Sequence, residues 1–254
     1  MANIVVSAIA KWNGTALLKG EKQLTQFQKT TKALAKSFAG LFAAQKIFAF
    51  GKAAVLAFAD AEAQQHRLAK LLETTVGATY GQVAALTAEA KALEKLGVVT
   101  AGSITQVQSQ LATFNLQLST IKALTPAILD YVTTEKGAAA SASDFKSMTN
   151  GLAQALNGNF ASLTKTGFVL DEVTKDLIKN GTEAERAAAL VEVLDSTYKG
   201  FNASLRKTTS GQLIALTNAA QDAQEIIGGS LLKSINAIGG GDAQDGIEKT
   251  VTLM

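Results

Sequence analysis

The sequence predicts an all-α protein: a long helical stalk or hairpin joined to a compact multi-helix bundle, with room for a short N-terminal strand. Three observations carry this expectation. The 254-residue chain contains one proline, a residue that long helices exclude from their interiors. Hydrophobic residues make up 47% of it and charged residues 18%, which is ample apolar surface to bury and far from the composition of a disordered polymer. Apolar positions recur at helical spacing over most of the length. The many alanines between them lower the entropic cost of helix while giving each helix little bulk to pack.

Ile4–Trp12 is β-branched and partly alternating, with an Asn13-Gly14 turn signal after it, so a short strand or extended arm is expected there. From Ala16 the pattern turns helical, with Leu17, Leu24, Phe27, Leu34 and Phe38 on one face. Phe38–Ala59 is apolar nearly all the way round, broken only by Gln45, Lys46 and Lys52. As a helix it extends about 33 Å, long enough for a membrane span. Two lysines near its middle would each cost about 2.5–3.5 kcal/mol on insertion. The favoured expectation is a helix packed against neighbours or other subunits. Its contact residues toward subunits or membrane are Phe38, Leu41, Phe42, Phe48, Phe50, Val55 and Phe58.

Asp60–Leu72 continues as a more polar helix until the Gly77–Gly81 break. Gln82–Leu96 reads as a helix stopped by Gly97, and Ser103 as the N-cap of a helix through Leu118. Pro126, after Thr125, suits the first turn of a helix that runs to Lys136 and ends at Gly137. Ser143-Asp144 opens the next helix, whose apolar face is Phe145, Met148, Leu152 and Leu156. Asn157-Gly158-Asn159 signals a left-handed turn. Short helical pieces follow at Phe160–Lys165 and Asp171–Lys179. Thr182 with Glu185 forms a capping box for a helix toward Tyr198. Ser210 to about Ile238 is a long amphipathic helix, loosened at Gly228-Gly229 and ended by Gly239–Gly241. The chain thus divides into an arm and apolar stalk (1–75), a helical cluster (76–205), a long amphipathic helix (206–240) and a flexible tail (241–254). No heptad is sustained over most of the length, which disfavours a simple coiled coil.

The chain carries no legible catalytic or metal-binding constellation. Net charge is +3, lysines are dispersed, and arginine occurs only at Arg67, Arg186 and Arg206, so sequence-specific nucleic-acid binding is not expected. The absence of cysteine removes disulfides and thiolate sites and suits a reducing cytoplasm. Met1–Ala10 has no basic lead-in, so no secretory signal is expected. The single histidine, His66, lies among Gln64, Gln65 and Arg67 and reads as a helix-surface residue. No phosphate loop or dinucleotide glycine pattern is present. Ser143–Lys146 and Ser119–Lys122 both fit a loose Ser-x-x-Lys pattern, and two fits without partner motifs read as coincidence. Asp171/Glu172 and Glu183/Glu185 sit where acids favour helix N-termini, a simpler reading than catalytic carboxylate pairs. No enzyme activity, metal or cofactor is expected.

Several pieces, in order, resemble the amino-terminal region of phage tail tape measure proteins. They are the basic amphipathic helix at Leu24–Lys36, the Ala- and Phe-rich Phe38–Ala59, and FADAEAQQHRLAKLL after it. Two more are SDFKSMTNGLAQALNGNFASLTKTGF (Ser143–Phe168) and NASLRKTTSGQLIALTNAAQDAQEIIGGSLL (Asn202–Leu232). The likeness covers about residues 15–235 and implies a structural protein with no catalysis. It implies a ruler in the lumen of the virion's tail tube that sets tail length, scaffolds tube assembly and leaves ahead of the DNA on ejection. The implied partners are the tail tube protein, the baseplate hub or other distal tail proteins, tail assembly chaperones, further copies as a trimer or hexamer, and the host membrane on ejection. Assembly would take place in the host cytoplasm. As one unbroken helix the chain would span only about 380 Å. Family members are usually far longer, so the resemblance implies the head of a longer ruler. The alternative expectation is a membrane-active helical protein that inserts 38–59.

Overall fold

Buried apolar stripes at helical spacing organise the protein into ten α-helices, with no strand among the described residues, 44–165 and 170–239 of the computed structural model. They are α1 (Ala44–Val76), α2 (Tyr80–Leu96), α3 (Ala101–Ala112), α4 (Leu118–Lys136) and α5 (Ala142–Leu156). Then come α6 (Ala161–Lys165), α7 (Glu172–Asn180), α8 (Glu183–Tyr198), α9 (Phe201–Leu205) and α10 (Thr209–Gly239). The all-α class is as the sequence predicts; the strand expected at Ile4–Trp12 lies outside the described residues. Chain contacts divide the protein into two units, Met1–Gly51 and Lys52–Met254. The described part of the first is the opening of α1, and the helical bundle belongs to the second.

Local chemistry sets most boundaries. Thr79 with Gln82, Ser141 with Asp144 and Thr182 with Glu185 each form a reciprocal capping box, satisfying two backbone donors at the starts of α2, α5 and α8. Asp171 caps α7 by accepting from the Thr174 amide at 2.7 Å. Gly158 has φ +81°, so the Asn157–Asn159 link turns left-handed as its sequence predicts.

Three boundaries differ from expectation. Thr100, not Ser103, caps α3, which stops at Ala112; a left-handed Asn115 (φ 58°) then turns the chain toward α4. Ser141 rather than Ser143 starts α5, because Asp144 returns the capping bond. Pro126 falls inside α4 instead of opening a helix. The stripe Ile121, Leu124, Ile128, Leu129 and Val132, at most 1% exposed, runs straight through it. Each such burial stabilises by about 1.5–3 kcal/mol, outweighing the cost of about 3 kcal/mol for an interior proline. The carbonyl that the proline leaves unbonded belongs to the exposed Lys122, and the Thr125 hydroxyl donates to the Ile121 carbonyl at 2.6 Å. Pro126→Ala restores the missing bond and should raise unfolding stability by about 1–2 kcal/mol, the helix gain less the lost ring burial. Urea unfolding checks this, and an unchanged or lower midpoint would count against it.

α4 is the axis of the bundle, packing against α3, α5, α8 and α9. Its Tyr131 ring lies 5.1 Å from that of Tyr198, and Phe145, Leu152, Leu190 and Leu194 close the core around it. Leu68 and Leu72 bring the second half of α1 into the same core. Asp130 accepts from the amides of Gly200 (2.7 Å) and Asn202 (2.9 Å), fixing the start of α9 beside α4. Glu183 accepts from the Gln117 amide at 2.7 Å, tying α8 to the N-terminus of α4.

Candidate interaction surface

α10 is 31 residues and about 47 Å long, and its attachment explains which of its faces is left free. Val98, in the α2–α3 link, has both backbone groups taken by asparagines from the C-terminal part. Its amide donates to Asn202 Oδ1 at 3.0 Å, and its carbonyl accepts from Asn218 Nδ2 at 3.1 Å. Arg206 Nη1 donates to the carbonyl of Gly97 at 2.8 Å and more weakly to that of Glu94 at 3.4 Å. Further along, Gly228 and Gly229 meet α1. A Cβ on Gly228 would lie 1.9 Å from the Ala54 carbonyl oxygen, and one on Gly229 would lie 2.8 Å from the Phe58 ring. α10 therefore runs unbroken through the glycine pair, which serves close helix contact where the sequence suggests loosening.

The opposite side of α10 is apolar as well. At about 100° per residue, Leu213, Leu216, Ala220, Ala223 and Ile227 fall within one arc of about 80°, opposite Gly211, Asn218 and Gly229. Leu213 and Leu216 are 61% and 68% exposed, Ala220 and Ala223 are exposed, and Ile227 is half-buried. The alternating three- and four-residue steps are those of a coiled-coil seam. Between Lys207 and Lys233 the only charges are Asp222 and Glu225, both on the bundle side. The seam thus presents no charge that would repel an approaching helix. Sequence reading missed it because α10 carries two apolar faces. The legible signal was the long stretch without a basic residue.

The residues expected to make contacts are placed as follows. Phe38, Leu41 and Phe42 lie outside the described residues, and of Phe48 only the helical backbone is described. Phe50 is 45% exposed, Val55 is half-buried, and Leu56, not among the expected contacts, is 54% exposed. Phe58 is half-buried against Gly229, so its ring already serves packing within the chain. Among the described residues no helix is long and apolar enough to cross a membrane.

Among the described residues the side chains weighed for chemistry are spread over several helices. No three His, Asp or Glu side chains are grouped to hold a metal ion, and His66 lies exposed on α1. A shallow groove of about 720 Å³ between α4 and α8 is floored by Ala123, Ala184, Ala187 and Val191. Asp195 and Lys199 at its edge neutralise each other at 2.7 Å. Ser143, Lys146, Ser119 and Lys122 are all exposed, and the Ser143 hydroxyl shares a hydrogen bond with that of Ser141 at 2.8 Å.

Three acids with shifted carboxyls are helix caps. Hydrogen bonds from Ser141, Thr174 and Thr182 hold the carboxyls of Asp144, Asp171 and Glu185 below their ordinary values. A depressed folded-state value means support that is fully present above the ordinary carboxylate value and lost as pH falls through the depressed one. Acidification below about pH 4 should therefore fray the starts of α5, α7 and α8 first. Residue-resolved amide exchange checks this, and Asp144→Asn should remove the pH dependence at α5 alone. Loss of protection in α4 before these ends would contradict it.

Fold and surface together define a helical bundle that carries a long helix with an exposed apolar seam. No protein-family model, curated protein or solved structure matches the chain.

Proposed function

We propose that this chain is a structural phage tail protein, a tape measure that scaffolds tail tube assembly and sets tail length. The observation that carries the reading is the outer seam of α10, a rod of about 47 Å whose exposed Leu213, Leu216, Ala220 and Ala223 need a partner. The all-helical architecture and the ordered resemblance of Leu24–Lys36, Phe38–Ala59, Ser143–Phe168 and Asn202–Leu232 support it. The partners in this reading are tail tube and baseplate hub or distal tail proteins, tail assembly chaperones, and further copies of the chain. It operates in the host cytoplasm during assembly and then in the tube lumen until ejection.

The test is complementation of tail assembly with Leu213→Gln/Leu216→Gln/Ile227→Gln. The reading expects tubes that are absent or of irregular length, while the purified variant keeps its helical content. Normal tails built with this variant would sink it.

A second reading rests on Phe50 and Leu56, which stand exposed on α1 within the apolar 38–59 segment. It makes the chain membrane-active on contact with a host envelope. Leakage of anionic vesicles, abolished by Phe50→Asp/Leu56→Asp, would favour it over the scaffold; no leakage would retire it.

A further inference from the structure

The outer seam of α10 orders large and small residues in a way that suits close helix pairing. Leu213 and Leu216 stand before, and Ile227 after, Ala220 and Ala223, whose single methyl groups let a second backbone come near. The two leucines keep 61% and 68% of their surface in water. What flanks the seam is neutral: Gln212 and Thr217 are exposed, and Gln224 is half-buried. From Thr208 to Leu232 the chain carries no lysine or arginine, and its two acids, Asp222 and Glu225, are half-buried. At about 100° per residue they lie about 140° and 160° around the helix from the centre of the seam.

That neutrality selects the kind of partner. A different protein would be steered and set in register by charges opposite to those on this face, and the face offers none. A symmetric contact sets one patch against its own copy, so any charge on it would meet its like. The amides of Gln212 and Gln224 hold donor and acceptor in one group, so each can bond another of its kind. Residues 212–231 give about 30 Å of rod about 10–12 Å across. Two such faces pressed together bury on the order of 1,000 Å², the lower bound for a specific interface, so the contact is a reversible one.

We propose that the seam is where two copies of this chain meet, each laying its α10 along that of the other. The pairing rests on the reading of this seam as the chain's contact surface and names its occupant. Gly211, Asn218 and Gly229, which seat α10 against its own chain, lie on the opposite side of the helix, so pairing leaves those contacts whole.

Sedimentation velocity of the full chain from about 1 μM to about 100 μM tests it. The mass should climb from 26.4 kDa toward twice that value. Ala220→Glu and Ala220→Lys each set like charges across the seam and should weaken the pairing at least about tenfold, with helical content unchanged. Mixed in equal amounts, the two variants should pair again, which misfolded proteins would not do. A parent chain that stays at 26.4 kDa throughout would overturn the pairing. So would Ala220 variants that dimerise as the parent does, or whose mixture stays monomeric. A monomeric parent whose Leu213→Gln/Leu216→Gln/Ile227→Gln change still abolishes tails would remove the pairing alone. A dimeric parent whose triple variant builds normal tails would remove the tape measure and keep the pairing.

Discussion

Gly228→Leu should separate α10 from α1 and cost about 3 kcal/mol or more of unfolding stability, the upper end of the range for overpacking. The reason is geometric. Even the first added carbon would stand 1.9 Å from the Ala54 carbonyl oxygen and 3.0 Å from Phe58 Cβ, and backbone cannot step aside as a flexible side chain can. The gain in helix propensity, about 1 kcal/mol over glycine, is already outweighed by that clash. Gly81 in α2 provides the control, because a Cβ there meets nothing within 4 Å. Gly81→Ala should stabilise by about 0.5–1 kcal/mol. Urea unfolding of the two variants reads the contrast directly. A Gly228→Leu protein as stable as the parent would show that α1 and α10 do not touch at this glycine.

Ile128→Ala should be comparably severe, at about 2–5 kcal/mol, because it opens a cavity where the helices around α4 converge. Ile128 is 0% exposed, with Leu124, Leu129 and Val132 beside it on the same helix. A small domain holds about 5–15 kcal/mol in total, so this one truncation removes a large share of it. Val173→Ala, at a site 80% exposed on α7, should change stability by less than about 0.5 kcal/mol. Equal effects at the two positions would mean that the core does not centre on α4.

What could be read from the sequence was what neighbouring residues decide between themselves. The Thr182–Glu185 box, the Gly97 stop and the Asn157–Asn159 turn depend on contacts within a few positions, and each is found where the residues place it. Pro126 misled because its local cost is overruled by the burial of Ile121, Leu124 and Ile128, which depends on helices distant in sequence. Gly228-Gly229 misled for a related reason, since only a neighbouring Ala54 and Phe58 turn a weak helix former into a contact point. The outer seam was hidden because periodicity does not say which of two apolar faces is covered.

Val98 has a consequence for how the protein comes into being. Its amide and carbonyl find their partners only in Asn202 and Asn218, more than 100 positions downstream. During synthesis from the N-terminus, the α2–α3 corner therefore leaves the ribosome with two peptide groups that no nearby residue can satisfy, and it must keep them wet until the last third of the chain emerges. Non-local closure of this kind delays the final fold and prolongs the interval in which a nascent helix can stick to a neighbour, so a holding factor acting on the unfinished protein would matter more than one acting on the finished one.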